Sequence, residues 1–493
     1  GYDAANGVEV RDVITQCRLI DGASQLGQVK SPTSSTAEGS GGLLEFTGLN
    51  LVIAAGQTKS LMVNCDISNS AYLNGNGERV AFSLETATEP SAQDADGNAV
   101  DPTGTANASG ATTRMLIQNS GSMSYSLAPD DTESEAGLVI AGNTVVLGKL
   151  RLTASNEELK QTKLRVSLVG AVQSSVVSMS LYDGATLVAG PVPMSATNAD
   201  FSGFNFIVPK DGSKTLTVKA VLNTISGGAT SGADMQITMD TDNAAGQSNF
   251  EYRGTSSSTV VTSQSGTGDI TGRNKVLRKT KPTVSLASLP TTTLTNGTMV
   301  LGRVTITADS AEQVSLKSIK WSVTKSDTTN AIDNSASTTS SSVREVGQGS
   351  AIAGVTTLAA ACAASGGTAC VVTSTFTSEQ TIAAGTSKTY ELVLTVTGAA
   401  TNDSISTSIA TDSAVVTGEL ATGTTAADSI DDLDGSNAAT ASYNFQWSDN
   451  SGIPHNDVNG ATADGEDAAA SNDWTNGLYV KVLPTDSQTV LFP

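Results

Sequence analysis

The chain has 493 residues, enough for about three domains, with 27 Lys and Arg against 48 Asp and Glu and a formal net charge of -21. That acidity repels phosphate backbones and excludes nucleic acid as a partner, while one His, four Cys and 4% aromatics leave little for redox, zinc or nucleotide-stacking chemistry. Ser and Thr contribute 126 residues and hydrophobics 38%, which suits β cores rather than a disordered tail, and no stretch of about 18 apolar residues predicts a membrane-spanning helix.

Cys17 (ITQCRLI) and Cys65 (LMVNCDIS) lie in strand-like segments, and Cys362 and Cys370 bracket a short Gly-containing loop, ACAASGGTAC. Even counts and local spacing predict two disulfides and an oxidising compartment; buried free thiols are the alternative. The chain begins at Gly1 rather than Met, as a processed or truncated chain does.

Internal repetition organises the rest. Leu147–Ala154 reads LGKLRLTA and Leu301–Ala308 reads LGRVTITA; each runs on to a Glu at one offset, Glu158 and Glu312, and into a further strand-like stretch, TKLRVSLVG and LKSIKWSVT. A second signature occurs three times, as IAAGQTKSLMVNCDI at Ile53, VPKDGSKTLTVKAVL at Val208 and IAAGTSKTYELVLTV at Ile382, preceded by Phe46, Phe206 and Phe376. Gly56, Gly212 and Gly385 are expected to supply positive φ in its turn. Alternating apolar positions after the Lys then line one sheet face. Short strands between Gly, Ser, Asn and Asp turns predict an all-β chain of tandem immunoglobulin-like β-sandwich domains with long loop insertions. The units are 1–113, 114–273 and 274–441, with a C-terminal Trp-containing segment, 442–493, that closes the last domain or pairs with a neighbour. The first copy lacks the LGxLxLTA opening and starts like the middle of the later copies. The expectation is that an N-terminal part is missing or that another chain supplies that strand. The basic run Arg273, Lys275, Arg278, Lys279 and Lys281 reads as a solvated linker or strand edge, or as a dock for an acidic patch of a neighbouring subunit.

Chemistry is sparse. His455 lies near Asp449 and Asp457, but no GxSxG-type nucleophile accompanies it, and Ser without a base is a weak nucleophile. Carboxylates are the better lead: Asp94, Asp96, Asn98 and Asp101; Asp130, Asp131, Glu133 and Glu135; Asp240, Asp242 and Asn243; Asp428, Asp431, Asp432, Asp434 and Asn437. Calcium takes six to eight oxygens, and loops holding Asp94, Asp96 and Asn98, or Asp431, Asp432 and Asp434, are the candidate sites. Neither matches an EF-hand: Ala99 stands where that loop needs Gly. The alternative is Asp and Asn chosen for turn geometry. Asn107, Asn296 and Asn402 head Asn-x-Ser/Thr sequons, expected by chance in so Ser- and Thr-rich a chain.

The tail holds Trp447 and Trp474, in YNFQWSDNSGIPH and DWTNGLYVKVLPTDSQTVLFP; Leu478, Val480, Val482 and Leu483 are expected to form a buried strand. WSDNS…DWTNG…LPTDSQT together with Phe…AGxxKxLxV resembles the surface-layer-like proteins of ultra-small, reduced-genome bacteria. The resemblance covers about a third of the chain. It implies a secreted, self-associating envelope protein of immunoglobulin-like domains, and no catalytic residue.

The expected function is a non-enzymatic, extracellular cell-surface protein that self-assembles into an S-layer or related lattice or filament, with calcium bridging carboxylates. The alternative is an adhesin or fibre that binds a host surface or a cell-envelope glycan through Trp447, Trp474 and the tail loops; a secreted enzyme with β accessory domains is a third reading.

Overall fold

The computed structural model describes residues 10–33, 42–68, 78–80, 82, 91–100, 115–117, 120–129, 131–170, 173–243, 248–263, 268–326, 331–332, 342–363, 369–412, 417–418, 444–452, 455 and 473–493. These residues are nearly all β; two short α-helical turns, Val10–Val13 and Ala360–Ala363, accompany the strands. Among them no helix is long and apolar enough to cross a membrane.

The N-terminal unit contains β1 (Ile14–Asp21), β2 (Ser24–Lys30) and β3 (Leu61–Ile67), in the sheet order β2-β1-β3. The second module contains β4 (Ser122–Leu127), β5 (Gly137–Ile140), β6 (Thr144–Ser155), β7 (Leu159–Leu168), β8 (Val176–Asp183), β9 (Thr186–Pro193), β10 (Asn198–Val208), β11 (Ser213–Leu222), β12 (Ile237–Met239), β13 (Glu251–Gly254) and β14 (Lys275–Arg278). One of its sheets runs β9-β8-β11-β6-β4; the other is built on β7, which pairs with β10 on one edge and with β13 and β12 along the other. The third module contains β15 (Pro282–Leu286), β16 (Gly297–Ala308), β17 (Val314–Lys325), β18 (Ser342–Glu345), β19 (Gly354–Leu358), β20 (Ala369–Ile382), β21 (Ser387–Thr397), β22 (Ser404–Ile409), β23 (Phe445–Ser448), β24 (Trp474–Thr475) and β25 (Gln488–Leu491). Here β16 pairs with β15 and β21, while β17 pairs with β20 on one edge and with β23 and β22 along the other. Second and third modules thus repeat one immunoglobulin-like two-sheet topology.

Side-chain alternation builds each core. In β6, Leu150, Leu152 and Ala154 are at most 1% exposed while Arg151 faces water. They meet Leu164, Val166, Phe201, Phe206, Leu216 and Val218 between the sheets. The third core gathers Val304, Ile306, Ile319, Trp321, Tyr390 and Leu392 in the same way.

The repeated residues have physical roles. The Leu-Gly of the opening signature sits at a β-bulge in both modules, between Val146 and Gly148 and between Val300 and Gly302. A Cβ on Gly302 would lie 2.9 Å from both Trp321 and Thr407, and one on Gly148 3.1 Å from Ile237. The signature Lys pairs with an acid on the neighbouring strand in all three units: Lys59 with Asp21 at 2.5 Å, Lys214 with Asp183 at 2.6 Å and Lys388 with Glu345 at 3.3 Å. Half-exposed pairs of this kind stabilise by at most about 1 kcal/mol, so they mark register rather than hold the fold.

Several expectations need correction. Gly56 and Gly385 have positive φ, but in the second module Asp211 takes that place, at φ 54°, rather than Gly212; Asp tolerates this conformation, and its Oδ1 accepts the Asn156 N–H at 2.9 Å. Counted from the Lys, Phe46 corresponds to Phe201, and Phe206 to Leu51. The boundary drawn at 273 falls early, because β14 pairs in parallel with β5 and carries the second module on to Arg278. The C-terminal segment joins the third module of its own chain: Asn444–Trp447 (NFQW) adds to β17 where Asn249–Tyr252 (NFEY) adds to β7. Residues 478–483 form turns, with positive φ at Tyr479 and Val482 and Val482 47% exposed; the strand there is β25.

Both disulfides are present. Cys17–Cys65 joins directly opposed residues of β1 and β3, and Cys362–Cys370 ties the second helical turn to β20. Loop entropy makes the first contribute about 4 kcal/mol and the second about 2.5 kcal/mol. Among the described residues of the N-terminal unit, Val13, Ile14, Cys17 and Val80 form the buried cluster that the first disulfide anchors.

Replacing Gly302 by Ala is expected to destabilise the third module by about 1–3 kcal/mol, since the buried Trp321 cannot retreat. Calorimetry would show a lowered midpoint for that module; an unchanged midpoint would remove the close-approach explanation for the Leu-Gly signature.

Candidate functional site

The tail motif and the basic run, which lie far apart in the sequence, meet at the junction of the second and third modules. β14 ends at Arg278, whose side chain is 0% exposed. WSDNS (Trp447–Ser451) leaves β23 and DWTNG (Asp473–Gly477) contains β24; together they close around that Arg. Its Nη1 lies 3.3 Å from Ser231 Oγ and 3.5 Å from the Asp473 carbonyl oxygen, with the guanidinium carbon 6.0 Å from the Trp447 ring. Asp449 Oδ2 accepts Ser231 Oγ–H at 2.7 Å and the Lys279 N–H at 2.6 Å, joining both modules to one carboxylate. Lys279 Nζ reaches the Asn450 carbonyl at 3.2 Å and Glu312 at 3.3 Å. Burial depresses the Arg278 pKa, and the charges of Asp449, Asp473 and Asp234 oppose that; guanidinium stays protonated.

The basic run is therefore neither a solvated linker nor an open strand edge, because Lys275–Arg278 is bonded on both sides and most of its charges are met within the chain. Lys275 is 5% exposed and donates to the Glu133 carbonyl at 2.8 Å; Lys279 and Lys281 are half-buried, and only Arg273 of the five is exposed. Trp447 and Trp474 are both 0% exposed, so they cannot serve as the adhesive contacts expected of them. Trp447 Nε1–H donates to the Asn476 carbonyl at 2.8 Å.

His455 locks the outer side of this junction. Nδ1 lies 2.6 Å from Asp473 Oδ2 and Nε2 2.7 Å from Glu379 Oε2, and the ring stacks on Trp474 at 5.6 Å between centroids. Two carboxylates require both ring nitrogens to donate, which is the imidazolium form. Burial lowers the His455 pKa, but the hydrogen bonds and charges of Asp473 and Glu379 outweigh it and push it up to about 9. Burial raises the pKa of Asp473, and the contact with His455 overrides this and lowers it. The geometry serves structure rather than acid–base catalysis: His455 is held by two acids, with Asp449 turned to Ser231 and Lys279. Asp457 lies outside the described residues.

The expected metal loops fare differently. Asp94 opens the five-residue turn, 94–98, of a short hairpin, its carboxylate accepting from Asp96 N at 3.0 Å, Asn98 N at 2.8 Å and Asn98 Nδ2 at 3.0 Å. These are the bonds of turn geometry. Asp431, Asp432 and Asp434 lie outside the described residues, as do Asp428, Asn437, Asp101, Asp130 and Asn107. Asp131 and Glu133 pair with Lys149. Asn296 is bound through both amide atoms to Ala399.

The structure instead gathers Asp240, Asp242 and Asp269, with one carboxylate oxygen of each within 4.8 Å of the others. Asp269 carried no sequence signal; it arrives because Ile270 pairs with Met239. Burial raises the Asp240 pKa, the charge of Asp269 adds to this, the Asn249 hydrogen bond opposes it, and Asp242 raises it further. Asn249, 7% exposed, donates to Asp240 at 2.5 Å, while its Oδ1 has no partner among the described residues. Oxygen donors this close suit a hard cation or a proton.

No family model matches the chain, and comparison with curated proteins gives no match either. Solved structures give distant likenesses. The chain is similar to the C-terminal domain of the AgI/II polypeptide BspA of Streptococcus agalactiae at 9% identity and a TM-score of 0.17, over 58% of this chain and 95% of that one. It is similar to the T6 backbone pilin of serotype M6 Streptococcus pyogenes at 9% identity and a TM-score of 0.19, over 76% and 78%. For the type II cohesin dyad of the adaptor ScaA scaffoldin of Acetivibrio cellulolyticus the values are 7%, 0.15, 55% and 85%. The sandwich assignment rests on the strand pairing itself.

Three outcomes follow from this geometry. Arg278→Met removes the buried cation that faces Asp449 and Asp473 and is expected to cost about 3–5 kcal/mol; calorimetry should show the second and third modules unfolding separately, and a single unshifted transition would contradict the staple. For His455 the folded pKa lies above the unfolded value of 6.5, so its contribution is complete below pH 6.5 and disappears as pH rises through about 9. Denaturation of wild type and His455→Gln should differ by up to ~3 kcal/mol at pH 6 and converge by pH 10. Calcium should raise the midpoint of wild type and leave Asp242→Asn unmoved; equal responses would place the ion elsewhere.

Proposed function

We propose that this chain is a non-enzymatic structural subunit of a cell surface, which self-associates into an S-layer, a related lattice or a filament. One observation carries the reading: the segment that resembles surface-layer-like proteins is spent on welding two sandwiches together. Trp447, Asp449, Asp473 and Trp474 are all buried at this junction, where they can transmit load between modules and cannot meet a ligand. A binding module would keep such aromatics exposed. Two disulfides suit an extracellular location, and the acidic surface suits assembly bridged by cations, with Asp240, Asp242 and Asp269 as a place for calcium.

Electron microscopy of the purified chain, with calcium and with chelator, tests the reading. Ordered arrays or filaments are expected with calcium, and fewer or none after chelation. Isolated particles under every ionic condition would overturn self-association.

A further inference from the structure

The second and third modules carry the same strands, and one corner of them is furnished in two different ways. Met239 pairs with Val166 as Ile409 pairs with Trp321, and Tyr252 pairs with Gln161 as Trp447 pairs with Leu316. Asp242 therefore corresponds to Asp412, and Asn249 to Asn444. In the third module the Asp412 carboxylate is met by backbone donors, the Asn444 N–H at 2.6 Å and the Gly477 N–H. Ala410 stands where the second module has Asp240, and Thr485 Oγ1 accepts the Ile409 N–H at 2.8 Å.

The second module has carboxylates where the third has donors. Asn243, not Asp242, accepts the Asn249 N–H at 2.9 Å and the Phe250 N–H at 2.8 Å. The Asp242 carboxylate is left to Asp240 and Asp269. Arg165 lies within reach of the Asp240 charge but is paired through two bonds with Asp200, at 2.6 and 2.9 Å. The sequences beside the cluster, residues 244–247 (AAGQ) and 264–267 (QSGT), hold no Lys, Arg or His. One further group is unsatisfied. Asn249 is 7% exposed, its Nδ2 lies 2.5 Å from Asp240 Oδ2, and its buried Oδ1 has no hydrogen-bond partner among the described residues. Turning this carboxamide over about its Cβ–Cγ bond exchanges the two atoms. The turn aims Oδ1 at the acids and breaks no bond to that oxygen. An unpaired buried oxygen costs stability, and amid three carboxylates a hard cation is the partner that removes the cost.

We propose that the second module holds a hard divalent cation of the calcium class between Asp240, Asp242, Asp269 and the Asn249 amide oxygen, and that the third module, closed at the same corner by its own N–H donors, needs none. Carboxylates that bind through one or both oxygens, with water on the exposed Asp269 side, make up the six to eight ligands that calcium takes. The ion joins three segments: the end of β12, the Ile270–Thr271 strand that pairs with it, and the entry to β13. It stiffens one module from within, ahead of any contact between subunits. The inference rests on the reading of these acids as a place for calcium, and adds Asn249 as a ligand and the second module as the part that responds.

Hydrogen exchange on the intact, disulfide-bonded chain, with calcium and with chelator, tests the proposal. Calcium should slow amides of residues 237–243 and 249–254 by about tenfold or more, and leave residues 405–412 and 444–448 unchanged. Asp269→Asn alters an exposed side chain and keeps the fold, and Asn249→Ala removes no charge; each should lose the slowing. No slowing in the second module, the same slowing in wild type and either variant, or an equal effect in the third module would overturn the proposal. If the slowing appears but no arrays form under any condition, the site stands and self-association falls. If arrays depend on calcium without any slowing in the second module, the site falls and self-association stands.

Discussion

The pairing of a Leu-Gly strand with the strand that follows the signature Lys is the bond on which each module depends. β6 against β11 and β16 against β21 align the apolar rows that close the two cores. Each Leu-Gly strand bulges at its Gly, where the opposite sheet comes to 3.1 Å (Gly148) and 2.9 Å (Gly302) of where a Cβ would stand. Beside these strands the partner's inward side chains are fully buried. A side chain the size of Leu or Ile gains about 1.5–3 kcal/mol on burial, so these aligned rows carry much of each module's stability. In the N-terminal unit the Cys17–Cys65 bond tethers β3 to β1.

The junction shows how a chain poor in aromatics spends the few it has. Trp447 lies beside Arg278 and Trp474 stacks on His455, and the carboxylate of Asp449 bridges Ser231 of one module and the Lys279 backbone of the next. A buried charge network of this kind adds little stability over a packed apolar one. Its effect is to fix one orientation, because any slip would strand Arg278 or the acids without partners. His455 closes the outer side in its cationic form, so the joint is tightest in mildly acidic and neutral water and loosens in alkali.

Much of this fold could be read from the residues because its units are copied. LGxLxLTA and AGxxKxLxV carry strand alternation, a bulge and a turn within a few residues, and each recurs as the same element. The even cysteine count, with one pair inside strand-like segments of one unit and one bracketing a short loop, also made both disulfides legible. What escaped was anything assembled over long separations. The Lys of the signature was visible, but its partners Asp21, Asp183 and Glu345 sit on another strand, at no constant distance along the chain. Asn249–Tyr252 and Asn444–Trp447 went unrecognised as copies because insertions of different length precede them. Arg278 read as solvent-facing because the acids that bury it lie some 170 residues downstream. Asp269 joined Asp240 only through the pairing of Ile270 with Met239.

Hydrogen exchange tests most directly that the Leu-Gly strand closes each complete module. In Gly302→Ala, amides of Tyr390–Val396 should exchange about tenfold faster than in wild type, with those of Leu216–Leu222 unchanged. Equal protection of Tyr390–Val396 in both proteins would contradict the account.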